Sequence, residues 1–200
     1  MTPVAPEDEA AFGPIPAGDY VGFRLAFYDI ETTDLGAFIG RMICATVGDS
    51  WGNLTTRTIL DFSQTTPLDD SGLAEWLRDE LERYDISVGW NNFQFDLSFL
   101  NARLLRWGKR PVADRMAVDA MWKASYGRYG ARIGSRKLVN VQKFFRVAES
   151  KTELDFDVWA LAGMGDKAAM AEVVAHCEAD VLVTRSVFNH LKPLIRTIHR

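Results

Sequence analysis

Four acidic residues stand out in this 200-residue chain because each is set among apolar neighbours: Asp29 and Glu31 in AFYDIETTDLGAF, Asp96 in VGWNNFQFDLSFL and Asp180 in AEVVAHCEADVLVTRSVF. Burying an unpaired carboxylate is costly, so acids in such settings call for a partner or a metal ion. Asp29 and Glu31 lie two apart on a strand-like segment, which sends both side chains to one face, where they repel unless a cation lies between them. Asp96, among Phe93, Phe95, Leu97, Phe99 and Leu100, falls where a helix should begin. Asp180 follows His176 by four residues, so the two share one face of a helix whose other face is Val173, Val174, Cys177, Val181 and Leu182. An all-oxygen donor set suits Mg²⁺ or Mn²⁺ far better than zinc. Two such ions about 4 Å apart can cleave a phosphodiester, one preparing a water and the other steadying the leaving oxygen.

Singly, each acid has a plain structural role open to it. Asp96 could cap a helix, Asp180 could be a surface acid, and Asp29 with Glu31 could form the polar edge of a strand. Their conjunction is what points to a two-metal centre. His176, one helical turn from Asp180, could accept a proton from an attacking water. His190 and His199 have no comparable context.

The elements that must position these residues follow from local pattern. RLAFYDIET alternates like a buried strand, and MICATVG and LTTRTILDF read as two more strands joined by the turn formers of GDSWGN. PLDDSGLAEWLRDELERYD places Leu73, Trp76, Leu77, Leu81 and Tyr84 at helical spacing. ISVGW is a short strand, FDLSFLNARLLRWG a helix stopped by Gly108, and PVADRMAVDAMWKASY a strand that turns helical. SRKLVNVQKFFRV reads as a helix and KTELDFDVWALAG as irregular. DKAAMAEVVAHCEADVLVTRSVFNHL reads as a long helix ended by Lys192-Pro193. This order implies an α/β fold with a mixed five-stranded sheet, an antiparallel meander plus parallel strands, flanked by helices. One domain over residues 21–200, after a Pro- and Gly-containing lead over 1–20, accounts for the length.

Cys44 and Cys177 show no metal-ribbon or disulfide spacing, which fits a reducing setting. The lead lacks a basic and apolar leader pattern and no stretch is long enough to span a membrane, so a soluble, cytoplasmic protein is expected. The net charge of −4 hides a strong polarity: residues 101–151 hold thirteen Lys or Arg against three acids. That basic middle suits a polyanion. Trp107, Trp122, Tyr126, Tyr129, Phe144 and Phe145 lie among its charges, and Tyr126 and Tyr129, in a Gly-rich stretch, are candidates to stack on the bases of a single strand.

The three acidic segments, in this order, resemble the motifs of the DEDD exonuclease superfamily, whose fold is ribonuclease H-like, and are similar to those in proofreading exonuclease domains of B-family DNA polymerases. Asp29-Ile30-Glu31 matches the first motif, Asn91 with Phe95-Asp96 the second, and His176 with Asp180 the third. His176 stands at the spacing where one branch has Tyr, so the third motif is a hybrid. The resemblance implies a 3′→5′ exonuclease that uses two Mg²⁺ or Mn²⁺ ions to release nucleoside 5′-monophosphates from a single-stranded 3′ end, with DNA favoured over RNA. It implies Asp29 shared by both ions, Glu31 and Asp180 on the first, Asp96 on the second and His176 as general base. It further implies contacts from Thr32 and Thr33 to the terminal sugar, a wedge from Leu35 or Phe38 against its base, and a polymerase or other replication or repair protein as partner. Asn91 is expected to orient substrate. The alternatives are an inactive nucleic-acid- or polymerase-binding module, or a structure-selective endonuclease of the same fold.

Overall fold

Strand β1, Leu25–Thr32, carries the first two acids and lies at the centre of the sheet. The computed structural model describes residues 22–62, 69–125, 130–149 and 154–195. In it β1 pairs antiparallel with β2, Met42–Gly48, and β2 with β3, Leu54–Thr58. On its other side β1 runs parallel to β4, Ile86–Gly89, and β4 to β5, Met116–Asp119. The order β3-β2-β1-β4-β5 is the mixed five-stranded sheet that the sequence pattern implies.

Among the described residues six helices flank it: α1, Ser71–Leu81; α2, Asp96–Arg106; α3, Ala120–Ser125; α4, Leu138–Phe145; α5, Phe156–Gly163; and α6, Lys167–Leu191. The period of two in β1 sorts its side chains between two cores. Ala26, Tyr28 and Ile30 join a cluster with Leu73 and Leu77 of α1 and Leu100 and Leu104 of α2. Leu25 and Phe27 join a second cluster with Val187 and Phe188 of α6. The rings of Phe27 and Phe188 meet edge-on at 5.3 Å. Helix α6 therefore crosses the face of β1 on which Asp29 and Glu31 also stand. The crossing is close, since a Cβ on Gly48 of β2 would come within 2.9 Å of Val181.

Two expectations are corrected. The third strand stops at Thr58, and Ile59–Asp61 form a 3₁₀ turn because Asp61 Oδ2 takes the Thr58 amide at 2.7 Å. Within the segment expected to be irregular, Phe156–Gly163 form helix α5, packed against α6. It is apolar nearly all round (Phe156, Val158, Trp159, Leu161), so it lacks the one-sided periodicity by which a helix shows itself in sequence. The lead expected over 1–20 lies outside the described residues.

Candidate active site

The acids of β1 and the polar face of α6 meet. His176 Nε2 lies 3.7 Å from Glu31 Oε1 and 4.0 Å from Asp180 Oδ2. These are ion-pair separations, longer than hydrogen bonds. The imidazole thus sits between a carboxylate from the strand and one from its own helix, nearly buried itself. One residue on, Cys177 Sγ donates to the main-chain oxygen of Asp29 at 3.5 Å and approaches Asp29 Oδ2 at 3.7 Å. Potential ligand atoms of Asp29, Glu31 and Cys177 all lie within 4.8 Å of one another. Burial holds the Cys177 thiol well above its ordinary pKa, which keeps it a donor to Asp29. Glu178, in the same turn of α6, faces away and accepts from Thr56 Oγ1 at 2.7 Å.

Asp96 enters from α2. The β1–β4 ladder ends at Phe27 and Val88, so the Ile30 amide further along β1 has no β4 partner, and Asp96 Oδ1 takes it at 3.2 Å. That bond draws the carboxylate, 2% exposed, in beside the strand that carries Asp29 and Glu31. Burial, with the nearby charges of Glu31 and Asp119, raises the Asp96 pKa to about 7, although its main-chain hydrogen bonds pull the other way. Oxygen donors whose negative charges are desolvated and mutually repelling fit a divalent cation, which would offset both costs.

A pH dependence follows. The folded pKa of Asp96 lies above its unfolded value, so between about pH 4 and pH 7 the folded state binds more protons and stability falls as pH rises. Metal-free protein is expected to melt at a lower temperature at pH 8 than at pH 5.5, with the difference reduced in Asp96→Asn. Mg²⁺ or Mn²⁺ should release a proton on binding near pH 6. Melting curves in EDTA and calorimetry in two buffers of different ionisation enthalpy check both, and a pH-independent melting difference between wild type and Asp96→Asn would rule the account out.

Three contributors escaped the sequence reading. Trp159 of α5 donates from Nε1 to Glu31 Oε2 at 3.0 Å, and its ring stands edge-on to His176 at 5.4 Å. Asp119, at the end of β5, accepts from the amides of Asn91, Met121 and Trp122 at 3.1, 3.0 and 3.3 Å. It thereby fastens the β4–α2 turn that presents Asp96 to the start of α3, and burial raises its pKa. Cys177 looked like ordinary core. Only Asp119 left a usable trace, as an acid at the end of the apolar run MAV.

Of the expected substrate contacts, Thr32 Oγ1 donates to Asp34 O at 2.8 Å and Thr33 Oγ1 accepts the Arg41 amide at 3.2 Å, closing a loop after β1. Leu35 and Phe38 project from it, 84% and 89% exposed. Arg41 Nη2 ties this loop to Gly163 O of α5. Asn91 adopts φ 64°, and its carbonyl accepts the amides of Gln94 and Phe95, so its visible work is to shape the turn. Asn92 beside it is the buried amide, its Nδ2 donating to Val118 O at 3.3 Å. Tyr126 and Tyr129 lie outside the described residues.

Among its described residues the basic segment is not one continuous track. Arg103 is buried in a forked pair with Asp70, and Arg110 grips Glu82 with two 2.6 Å bonds, which lower the Glu82 pKa to about 2. Lys109 pairs with Glu75 at 3.0 Å. Arg136 and Lys137 are placed differently: with Trp90 they line a cleft of about 270 Å³ whose lining also includes Asp29 and Asp180.

The sequence profile of the RNase H superfamily matches residues 26–192. No curated protein matches the sequence. Among solved structures, the family B DNA polymerase from the hyperthermophilic archaeon Pyrobaculum calidifontis is similar in fold, with a TM-score of 0.61 at 18% identity. The match covers 86% of this chain and 24% of the polymerase. Among the described residues no helix is long and apolar enough to cross a membrane.

Proposed function

Because this chain belongs to the ribonuclease H superfamily, we propose that it is a DEDD-type 3′→5′ exonuclease that shortens single-stranded DNA and releases nucleoside 5′-monophosphates. The observation that carries this reading is the meeting of His176 Nε2 with Glu31 and Asp180 beside Asp29, with buried Asp96 close enough to feel the Glu31 charge. Asp29, Glu31, Asp96 and Asp180 would hold two Mg²⁺ or Mn²⁺ ions, which supply positive charge to the scissile phosphate and acidify the attacking water.

The chain's own groups do the rest. His176 accepts the proton of the attacking water at Nε2, in a position where Glu31 and Asp180 stabilise the imidazolium that forms. Trp159 fixes Glu31 Oε2 and, standing edge-on, limits rotation of the imidazole. Thr32, Thr33, Leu35 and Phe38 seat the terminal nucleotide, and Asn91 holds the turn that presents Asp96. A DNA polymerase or another replication or repair protein belongs to this proposal as the setting in which such trimming is used.

Incubation with 3′- and 5′-labelled single-stranded DNA and RNA, with Mg²⁺, Mn²⁺ or EDTA, tests the reading. Stepwise metal-dependent shortening from the 3′ end is expected, with about a 10²-fold slower rate in His176→Ala, the usual worth of a general base. Internal cuts would mean an endonuclease. Salt-sensitive binding without cutting would mean a binding module.

A further inference from the structure

The cleft shared by carboxylates and cations has a direction. Asp29 and Asp180 face it, whereas Glu31, two residues further along β1, is held by Trp159 of α5 on the side of the Thr33–Arg41 loop. The site therefore has an apolar, loop-bounded side beyond Glu31 and a basic side beyond Asp29, with the Asp29–Asp180 pair between them. The basic wall is fastened in place. Trp90 Nε1 donates to Arg136 O at 2.9 Å, and the Lys137 amide and Asn140 Nδ2 both bond Ser135 Oγ, at 3.3 and 3.0 Å. Ser135 O in turn accepts from Ser125 Oγ of α3. Arg136 and Lys137 themselves are exposed.

Resting on the exonuclease reading, we propose that Arg136 and Lys137 form a phosphate subsite for the nucleic-acid backbone, taking the phosphodiester one nucleotide to the 5′ side of the scissile bond. A terminal nucleotide seated beyond Glu31 with its scissile phosphate at the carboxylates sends the rest of the strand out past Asp29. The next phosphate then meets the wall that carries the two cations. Cations on this wall serve a second purpose: with carboxylates opposite, they keep the exit side from repelling a polyanion. Arg103, Lys109 and Arg110 of the same basic segment lie at Asp70, Glu75 and Glu82 and do not line this cleft.

The subsite makes a distinction between substrates. A single-stranded oligonucleotide has the second phosphate, and the p-nitrophenyl ester of thymidine 5′-monophosphate does not. In the double variant Arg136→Ala/Lys137→Ala, kcat/KM for the oligonucleotide should fall roughly 10- to 100-fold, at least tenfold more than for the ester. The Kd for single-stranded DNA measured in EDTA should weaken about tenfold, and the slope of log K against log salt should become shallower by about one unit, as expected for lost phosphate contacts. Arg136→Lys/Lys137→Arg should restore most of the affinity. Equal losses on both substrates, or an unchanged Kd and salt slope, would overturn the subsite. Should the wild type cut neither substrate, the exonuclease reading fails, while the binding arm still decides whether the cations hold backbone phosphate.

Discussion

Asp29→Asn should lower metal-dependent trimming from the 3′ end by roughly 10³-fold or more, about 4 kcal/mol on the barrier, and leave the fold intact. Asp29 stands on the central strand, on the same face as Glu31, and lines the cleft together with Asp180, Arg136 and Lys137. The amide keeps the shape and removes the charge, so cation affinity falls while packing does not change. Without metal, loss of one of several crowded negative charges relieves repulsion, and the melting temperature in EDTA should hold or rise. A site selected for chemistry rather than stability behaves in this way. Single-turnover trimming with Mn²⁺, paired with Mn²⁺ titration, checks it. Retention of more than a tenth of the activity would remove Asp29 from the centre of the mechanism.

The second large effect concerns stability. Asp70 is fully buried and accepts from Arg103 Nε and Nη2 at 2.8 and 2.7 Å, Trp107 Nε1 at 2.8 Å and the Met42 amide at 2.8 Å. Arg103 Nη1 also donates to Ala37 O in the loop after β1, at 3.1 Å. One carboxylate thus joins α2 to the start of β2, and through Arg103 to the loop that bears Leu35 and Phe38. Asp70→Ala strands the buried guanidinium and should cost about 3–5 kcal/mol. Arg103→Met, which removes the charge and keeps the volume, should cost less, because Asp70 retains two donors. Urea unfolding of both variants measures this. A loss below about 1 kcal/mol for Asp70→Ala would show that the pair is not a lock. Since the loop borders the site, Arg103→Met should also raise KM more than it lowers kcat.

Residue patterns revealed a good deal of the site. The i, i+2 spacing of Asp29 and Glu31 fixed their common face, and the i, i+4 spacing of His176 and Asp180 fixed theirs, because both periods are local properties of the backbone. The alternation in β1 and the apolar stripe of α6 likewise predicted elements that formed. Arg103 shows where that reading stops. In sequence it was one of thirteen cations in a basic segment, and nothing local separates it from Arg136. Its partner Asp70 lies 33 residues away and its role depended on packing.

Trp159 and Asp119 make the same point from the opposite side. Trp159 sat in a segment without helical periodicity, yet it reaches Glu31 across 128 residues once α5 docks on α6. Asp119 became part of the site only because β5 runs parallel to β4 and delivers its end beside the Asn91 turn. By itself, then, the sequence determined which acids share a face and which segments become strands or amphipathic helices, because the backbone imposes those periods residue by residue. The tertiary structure decided which charges pair inside the protein and which line the cleft, because groups far apart in the chain meet only when the sheet order brings them together.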